Sequence, residues 1–160
     1  MEELLKLLEH NAKLDDSQLS AILALPEETI RAEIEKYEKE HIILGYNALI
    51  NWEKIDSTDC TAIIQLKVQP KRDRGYEEIA EEITSFEEVE SVWLMSSSNY
   101  DLSVVIRGHN FRDISMFVAK RLATLDSVTS TATNFVLKRY KEHHVKLIEA
   151  EKDERSMFLD

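Results

Sequence analysis

The 160-residue chain is poor in several things, and each shortage closes a class of function. Its single cysteine, Cys60, leaves no partner for a disulfide within the chain. Set in the strand-like run CTAIIQLKV, that thiol reads as a small buried apolar residue rather than a nucleophile. Glycine occurs only three times, and neither a Gly-rich phosphate loop nor a nucleophile elbow is present, so no enzyme activity and no cofactor are expected. No run approaches the roughly 18 apolar residues of a membrane span. The start MEELLKLLEH lacks a basic leader, so a cytoplasmic protein without a membrane partner is expected. Basic side chains are scarce too, 20 against 31 acidic, for a net charge of −11. That balance argues against a general polyanion binder, because nucleic-acid affinity comes largely from neutralised phosphate and released counterions.

What remains is ordinary globular composition, 43% hydrophobic and 32% charged, enough for one medium domain or two small ones. The charge is unevenly spread. Residues 1–41 hold 5 basic and 11 acidic side chains, residues 42–141 hold 12 and 14, and residues 142–160 hold 3 and 6. Within the acidic first stretch, EELLKLLEH (2–10) gives a short helix with Leu4, Leu5, Leu7 and Leu8 inward. DDSQLSAIL gives a second, for which Asp15 or Asp16 serves as N-cap. After a tight Ala24-Leu25 connection, PEETIRAEIEKYEKEH (26–41) gives a third. Pro26 fits its first helical position, Glu27 and Glu28 suit the positive end of the helix dipole, and Ile30, Ile34 and Tyr37 make one narrow stripe. Three helices in about 40 residues, the last two joined by a short turn, are the pattern of a helix-turn-helix unit. HIILGYNALIN then reads as a small wing strand, with Gly45 its only turn residue, running into a linker near NWEKIDST.

The rest of the chain contains a repeat. A shift of 39 positions superposes Leu66 on Val105, Ile79 on Val118, Ala80 on Ala119, Ile83 on Leu122, Phe86 on Leu125 and Val89 on Val128. Each copy reads strand, helix, strand: TAIIQLKV, YEEIAEEITSF, VESVWLMSS, then DLSVVIR, FRDISMFVAKRL, VTSTATNFVL. Two such units in tandem predict a ferredoxin-like βαββαβ domain, a four-stranded antiparallel sheet with both helices on one face. The opposite face would carry Trp93, Met95, Val104 or their neighbours, and self-association is its expected cover. The tail from residue 142 looks helical. His143 and His144 would then point about 100° apart, with no further ligands at zinc spacing; surface histidines are expected, and no metal.

A helix-turn-helix, a linker containing a strand and a βαββαβ domain, in this order and length, resembles the Lrp/AsnC family of amino-acid-responsive transcription regulators. The matching pieces are the second and third helices through ILGYNALIN, the segment SSSNYDL between two strands, and TATNFVLKRYK near the end. Two positions depart from the family pattern: Glu33 in TIRAEI, where Arg is usual, and Ser98, where Gly is frequent. The fold class expected is therefore α+β, an N-terminal winged helix-turn-helix followed by a ferredoxin-like βαββαβ domain. Its divisions are 1–50 for DNA binding, 51–59 as linker, 60–141 for effector binding and oligomerisation, and 142–160 as tail.

In such regulators the third helix enters the major groove. With Ile30, Ile34 and Tyr37 inward, Glu28, Thr29, Ala32, Glu35, Lys36 and Lys39 lie on the outward arc. Taken alone, that arc is a solvated face of mixed charge; the architecture makes it a DNA-reading one. Arg31 and Thr29 are the candidates for phosphate or base contact, with Ser17 and Gln18 meeting backbone from the preceding helix. Glu28 accepts from a cytosine or caps the helix, capping being the preferred role. The family's effector, often an amino acid, binds near the turn that matches SSSNYD. There Ser97, Ser98, Asn99, Tyr100 and Asp101, with Thr131 and Thr133 from the last strand, form the candidate pocket. A plain hairpin turn explains the same residues, with Asn99 in a left-handed conformation and Asp101 capping. Expected partners are promoter DNA, a small amino acid, and the chain itself as a homodimer or higher even-numbered oligomer. The alternatives are an effector-binding or protein-docking module whose DNA binding is weak or lost, and a decarboxylase-like enzyme on the same fold.

Overall fold

The computed structural model describes residues 2–55, 58–70 and 75–147. They divide into two compact units: residues up to Asn51 with those from Tyr140 onward, and Trp52–Arg139. In the first unit, α1 (Glu2–His10), α2 (Asp16–Leu23) and α3 (Glu27–Lys39) pack around Leu4, Leu8, Leu19, Ile30 and Tyr37. Leu4 and Leu8 meet this core because residues four apart stack on one helix face. Asp15 caps α2 in a reciprocal box: its carboxylate accepts the Gln18 N–H at 2.8 Å while the Gln18 side-chain oxygen accepts the Asp15 N–H at 3.1 Å. Ala24 ends α2 in the left-handed conformation (φ 52°), which turns the chain sharply into α3. Pro26 sits one residue earlier than expected, at the N-cap, where its carbonyl accepts the N–H groups of Thr29 and Ile30. No side chain caps this terminus, so Glu28 is exposed in the first turn without the capping bond expected of it.

Two expectations for this unit are corrected. No strand forms over residues 42–51: the N–H groups of Ile42 and Ile43 both turn back to the Tyr37 carbonyl, and none of the described residues forms a ladder with this stretch. A β-rich sequence without a partner strand has nowhere to place its backbone hydrogen bonds. Residues 141–146 are a hairpin rather than a helix, β5 (Lys141–Glu142) against β6 (Val145–Lys146). His143 and His144 form its two-residue loop with φ of 43° and 68°, the doubly left-handed geometry of the commonest tight hairpin. Residues 148–160, the remainder of the expected helical tail, lie outside the described residues.

In the second unit, β1 (Cys60–Val68), α4 (Tyr76–Thr84), β2 (Val89–Leu94), β3 (Leu102–Gly108), α5 (Phe111–Phe117, continuing as a π-helical turn through Leu122) and β4 (Val128–Phe135) come in order. The sheet order β2-β3-β1-β4 is antiparallel throughout, as two tandem strand-helix-strand units require. Its core joins Ala62, Ile64, Leu66, Val68, Leu102, Val104 and Ile106 of the sheet to Ile79 and Ile83 of α4 and to Ile114, Phe117, Val118 and Leu122. Gly108 ends β3 where α5 comes close: a Cβ there would lie 2.8 Å from Ile114 Cγ1.

The register settles which residues share a face. Ile64 pairs with Val104 and Thr133, and Leu66 with Leu102 and Thr131, all on the helix side. Ile63, Val105, Ser103 and Trp93 occupy the opposite side, where Trp93 is 51% exposed. Val104 therefore belongs to the core, and Val105 takes its place on the open face. The 39-residue shift holds for the helices, where Ile79, Val118, Ile83 and Leu122 are all buried. In the first strand of each copy it is one residue out, since Leu66 faces the helices and Val105 faces away, whereas Val89 and Val128 of the second strands both pack against the core as the shift requires. A strand's faces alternate at every residue, so an error of one reverses them.

Candidate functional site

The short α2–α3 turn brings the eight residues expected to meet DNA to the surface: Ser17, Gln18, Glu28, Thr29, Arg31, Ala32, Lys36 and Lys39 are all exposed. Ile30 and Tyr37 are buried beneath them and Ile34 is half-buried, which fixes the rotation of α3. The outward charges are not all unengaged. Arg31 grips Asp16, its Nε (3.0 Å) and Nη2 (2.8 Å) both donating to Oδ2, and this contact holds the guanidinium more firmly protonated than usual. Lys36 lies 4.0 Å from Glu33, one of whose oxygens is buried. Gln18 is tied into the α2 cap. Beyond α3, the Tyr46 hydroxyl of the GY passage donates to Glu38 at 3.0 Å; partial burial, then this bond, raises its pKa.

The second candidate site lies where the β2–β3 hairpin meets the end of β1. The Asp101 backbone closes the hairpin by accepting from Met95 N–H (2.7 Å) and ties it to β1 by donating to the Leu66 carbonyl (2.9 Å). The register of β1 against β4 slips between Lys67 and Val68. There the Val68 N–H donates to Asp101 Oδ2 at 2.9 Å, while Lys67 Nζ lies 3.1 Å from Oδ1. The Val68 bond first, and Lys67 after it, hold the Asp101 carboxyl below the usual carboxylate range against the opposing effect of burial. Asp101 thus bonds across strands instead of capping its own turn. Asn99 is not among the residues with positive φ; its N–H is met by Ser97 Oγ (3.2 Å), and the Ser98 hydroxyl reaches the Asn99 side chain (3.2 Å). Tyr100 is half-buried. Thr131 stands opposite Leu66 on β4, across β1 from Asp101, and Thr133 lies two residues farther along. Sequence reasoning missed Lys67 and the Val68 N–H, which stand 34 and 33 residues from Asp101, and it saw Asp16 only as a cap. No local pattern announces such pairings.

The model of the Lrp/AsnC ligand binding domain matches residues 61–145. The chain belongs to the Lrp/AsnC family. Among curated proteins it is 46% identical, over 98% of its length and 94% of the relative's, to the uncharacterised HTH-type transcriptional regulator YugG of Bacillus subtilis (strain 168). It is 24% identical, over 88% of each chain, to the proline dehydrogenase transcriptional activator of Rhizobium radiobacter. Among solved structures, the transcriptional regulator NMB0573 of Neisseria meningitidis in complex with L-Met superposes with a TM-score of 0.69 at 24% identity, over 87% of this chain and 88% of that one. E. coli AsnC superposes with 0.65 at 19% identity, over 87% and 91%. Family and relatives make this Lrp/AsnC member a transcriptional regulator, and the structural likeness places its α+β fold with theirs. Among the described residues no helix is long and apolar enough to cross a membrane, and no group of three His, Cys, Asp or Glu is placed to hold a metal.

Proposed function

We propose that this Lrp/AsnC regulator reads duplex promoter DNA through α3 of paired helix-turn-helix units and takes a small amino acid at the 95–101 turn. The observation that carries the DNA half is the sharp α2–α3 turn with all eight candidate contacts exposed on one unit. Pairing is through a homodimer on the open sheet face, where Ile63, Trp93 and Met95 are exposed and Val105 half-buried. Avidity between two units then supplies the affinity that a net charge of −11 withholds. The effector's carboxylate is met by Ser97, Ser98 and nearby backbone N–H groups. Its ammonium takes the place of Lys67 at Asp101 Oδ1, with Thr131 on the neighbouring strand. The Ser98 side chain narrows the space, which favours a small polar amino acid. No catalytic role is proposed.

A second function, a docking module that no longer binds DNA, is favoured by the 11 acidic against 5 basic side chains of residues 1–41. Recovery of genomic fragments by the purified protein at low salt, with and without each amino acid, separates the two. A dimer neutralising about 4–6 phosphates gives a log K against log salt slope of roughly −4 to −5. Absence of any enriched fragment supports docking. A thermal-shift screen of the amino acids on the wild type and Asp101→Ala tests the effector half. It fails if no amino acid shifts the wild type, or if a shift survives Asp101→Ala undiminished.

A further inference from the structure

Two consecutive aspartates at the start of α2 divide their work: Asp15 caps the helix, which leaves the Asp16 carboxylate to reach 15 residues along the chain to Arg31. We infer that Arg31 reads the edge of a guanine rather than a phosphate, and that Asp16 is the positioning residue that makes it do so. The inference rests on the DNA-binding function proposed above.

Geometry supplies the first reason. Asp16 Oδ2 receives both the Nε–H and one Nη2–H, a side-on grip that occupies one edge of the guanidinium. Of the five N–H donors, the two on Nη1 and the second on Nη2 remain. One from each terminal nitrogen makes the end-on fork that matches guanine O6 and N7. Because Asp16 is fixed by the first turn of a capped helix, the plane of that fork is set before DNA arrives.

Charge supplies the second. The pair is neutral as a unit, and Glu27 and Glu35 add further negative field around Arg31. A phosphate approaching the free edge meets a cation already compensated, with three carboxylates near it; a base edge carries no net charge and meets no such repulsion. Position agrees with both. Arg31 is the fifth residue of α3, in the N-terminal half from which recognition helices contact bases.

The test is selection of sites from a random duplex library at fixed salt by the full-length wild type, Arg31→Lys, Arg31→Ala and Asp16→Asn. Both side chains are partly exposed, and unchanged far-UV dichroism controls for folding. Expected is a wild-type half-site with a guanine at one fixed position, preferred by about 5- to 150-fold. Both Arg31 variants lose that preference, because Lys keeps the charge but not the fork. Asp16→Asn weakens the preference while tightening binding to unrelated DNA. Replacing that guanine by 7-deazaguanine, which removes N7, weakens the wild type and leaves Arg31→Ala unaffected. Arg31→Lys retaining the same site, or Asp16→Asn tightening all sequences alike with the preference intact, assigns Arg31 to phosphate and overturns the inference alone. A wild type that enriches no sequence overturns the DNA-binding function, and the inference with it.

Discussion

The two units hold themselves together by different means. Among the described residues the helical unit has five buried core side chains, whereas the sheet unit has thirteen. Apolar burial scales with size, so a small unit leans more on local polar devices. In the first unit these include the Asp15–Gln18 cap, the Arg31–Asp16 grip and the Tyr46–Glu38 bond, on or near the α2–α3 surface proposed above to meet DNA. In the second, the sheet and helices close over an aliphatic core, and the polar bond formed by Asp101 sits at the sheet's end, where the effector is proposed to act. In each unit a polar bond lies at the candidate site: Arg31–Asp16 in the first and Asp101–Val68 in the second.

The largest expected effect separates the units outright. Ile30→Ala removes a fully buried side chain and costs about 2–5 kcal/mol, in a unit whose described core holds four other buried residues. Helical dichroism should fall while fluorescence holds, since Trp52 and Trp93 both belong to the sheet unit. If both signals collapse together, the chain is one cooperative block and the contrast fails. Next in size, Trp93→Asp places a charge on the open sheet face. It should weaken self-association by about 2 kcal/mol or more, read as a shift from dimer toward monomer in sedimentation at micromolar concentration. No shift would mean that the copies pair elsewhere.

A smaller effect distinguishes the polar bond of the sheet unit from its apolar core. The folded-state pKa of Asp101 lies below its unfolded value, so its contribution is present above the ordinary carboxylate pKa. That contribution is lost as pH falls through the lower folded value. Asp101→Asn should reduce the stability of the sheet unit at neutral pH by about 1–2 kcal/mol and flatten its decline below about pH 4. Parallel acid curves for wild type and variant would show that the bond contributes nothing. Smallest is a pair of opposite sign in the helical unit. Asp15→Ala should lower its stability by about 1 kcal/mol. Ala24→Gly should raise it by up to about 1 kcal/mol, by relieving the left-handed alanine. Urea titrations monitored at 222 nm measure both.

Periodicity by itself determined the elements. Leucines and isoleucines at helical spacing marked α1 to α5, and paired apolar runs at a 39-residue shift marked two strand-helix-strand units, because burial acts residue by residue and leaves its period in the sequence. The exposure of Glu28, Thr29, Ala32, Lys36 and Lys39 followed from the α3 stripe, whereas Ser17, Gln18 and Arg31 were placed by the helix-turn-helix architecture. Tertiary structure alone decided whatever depends on a partner distant in sequence. It assigned Val104 to the core and Val105 to the open face, because strand register is a relation between separate segments and a slip of one inverts it. It left HIILGYNALIN without a strand, since no described edge pairs with it, and folded residues 141–146 into a hairpin where the composition looked helical. It also brought Lys67 and the Val68 N–H to Asp101, and Asp16 to Arg31, because a hydrogen bond between groups 15 to 34 residues apart is fixed by packing and leaves no spacing in the sequence to read.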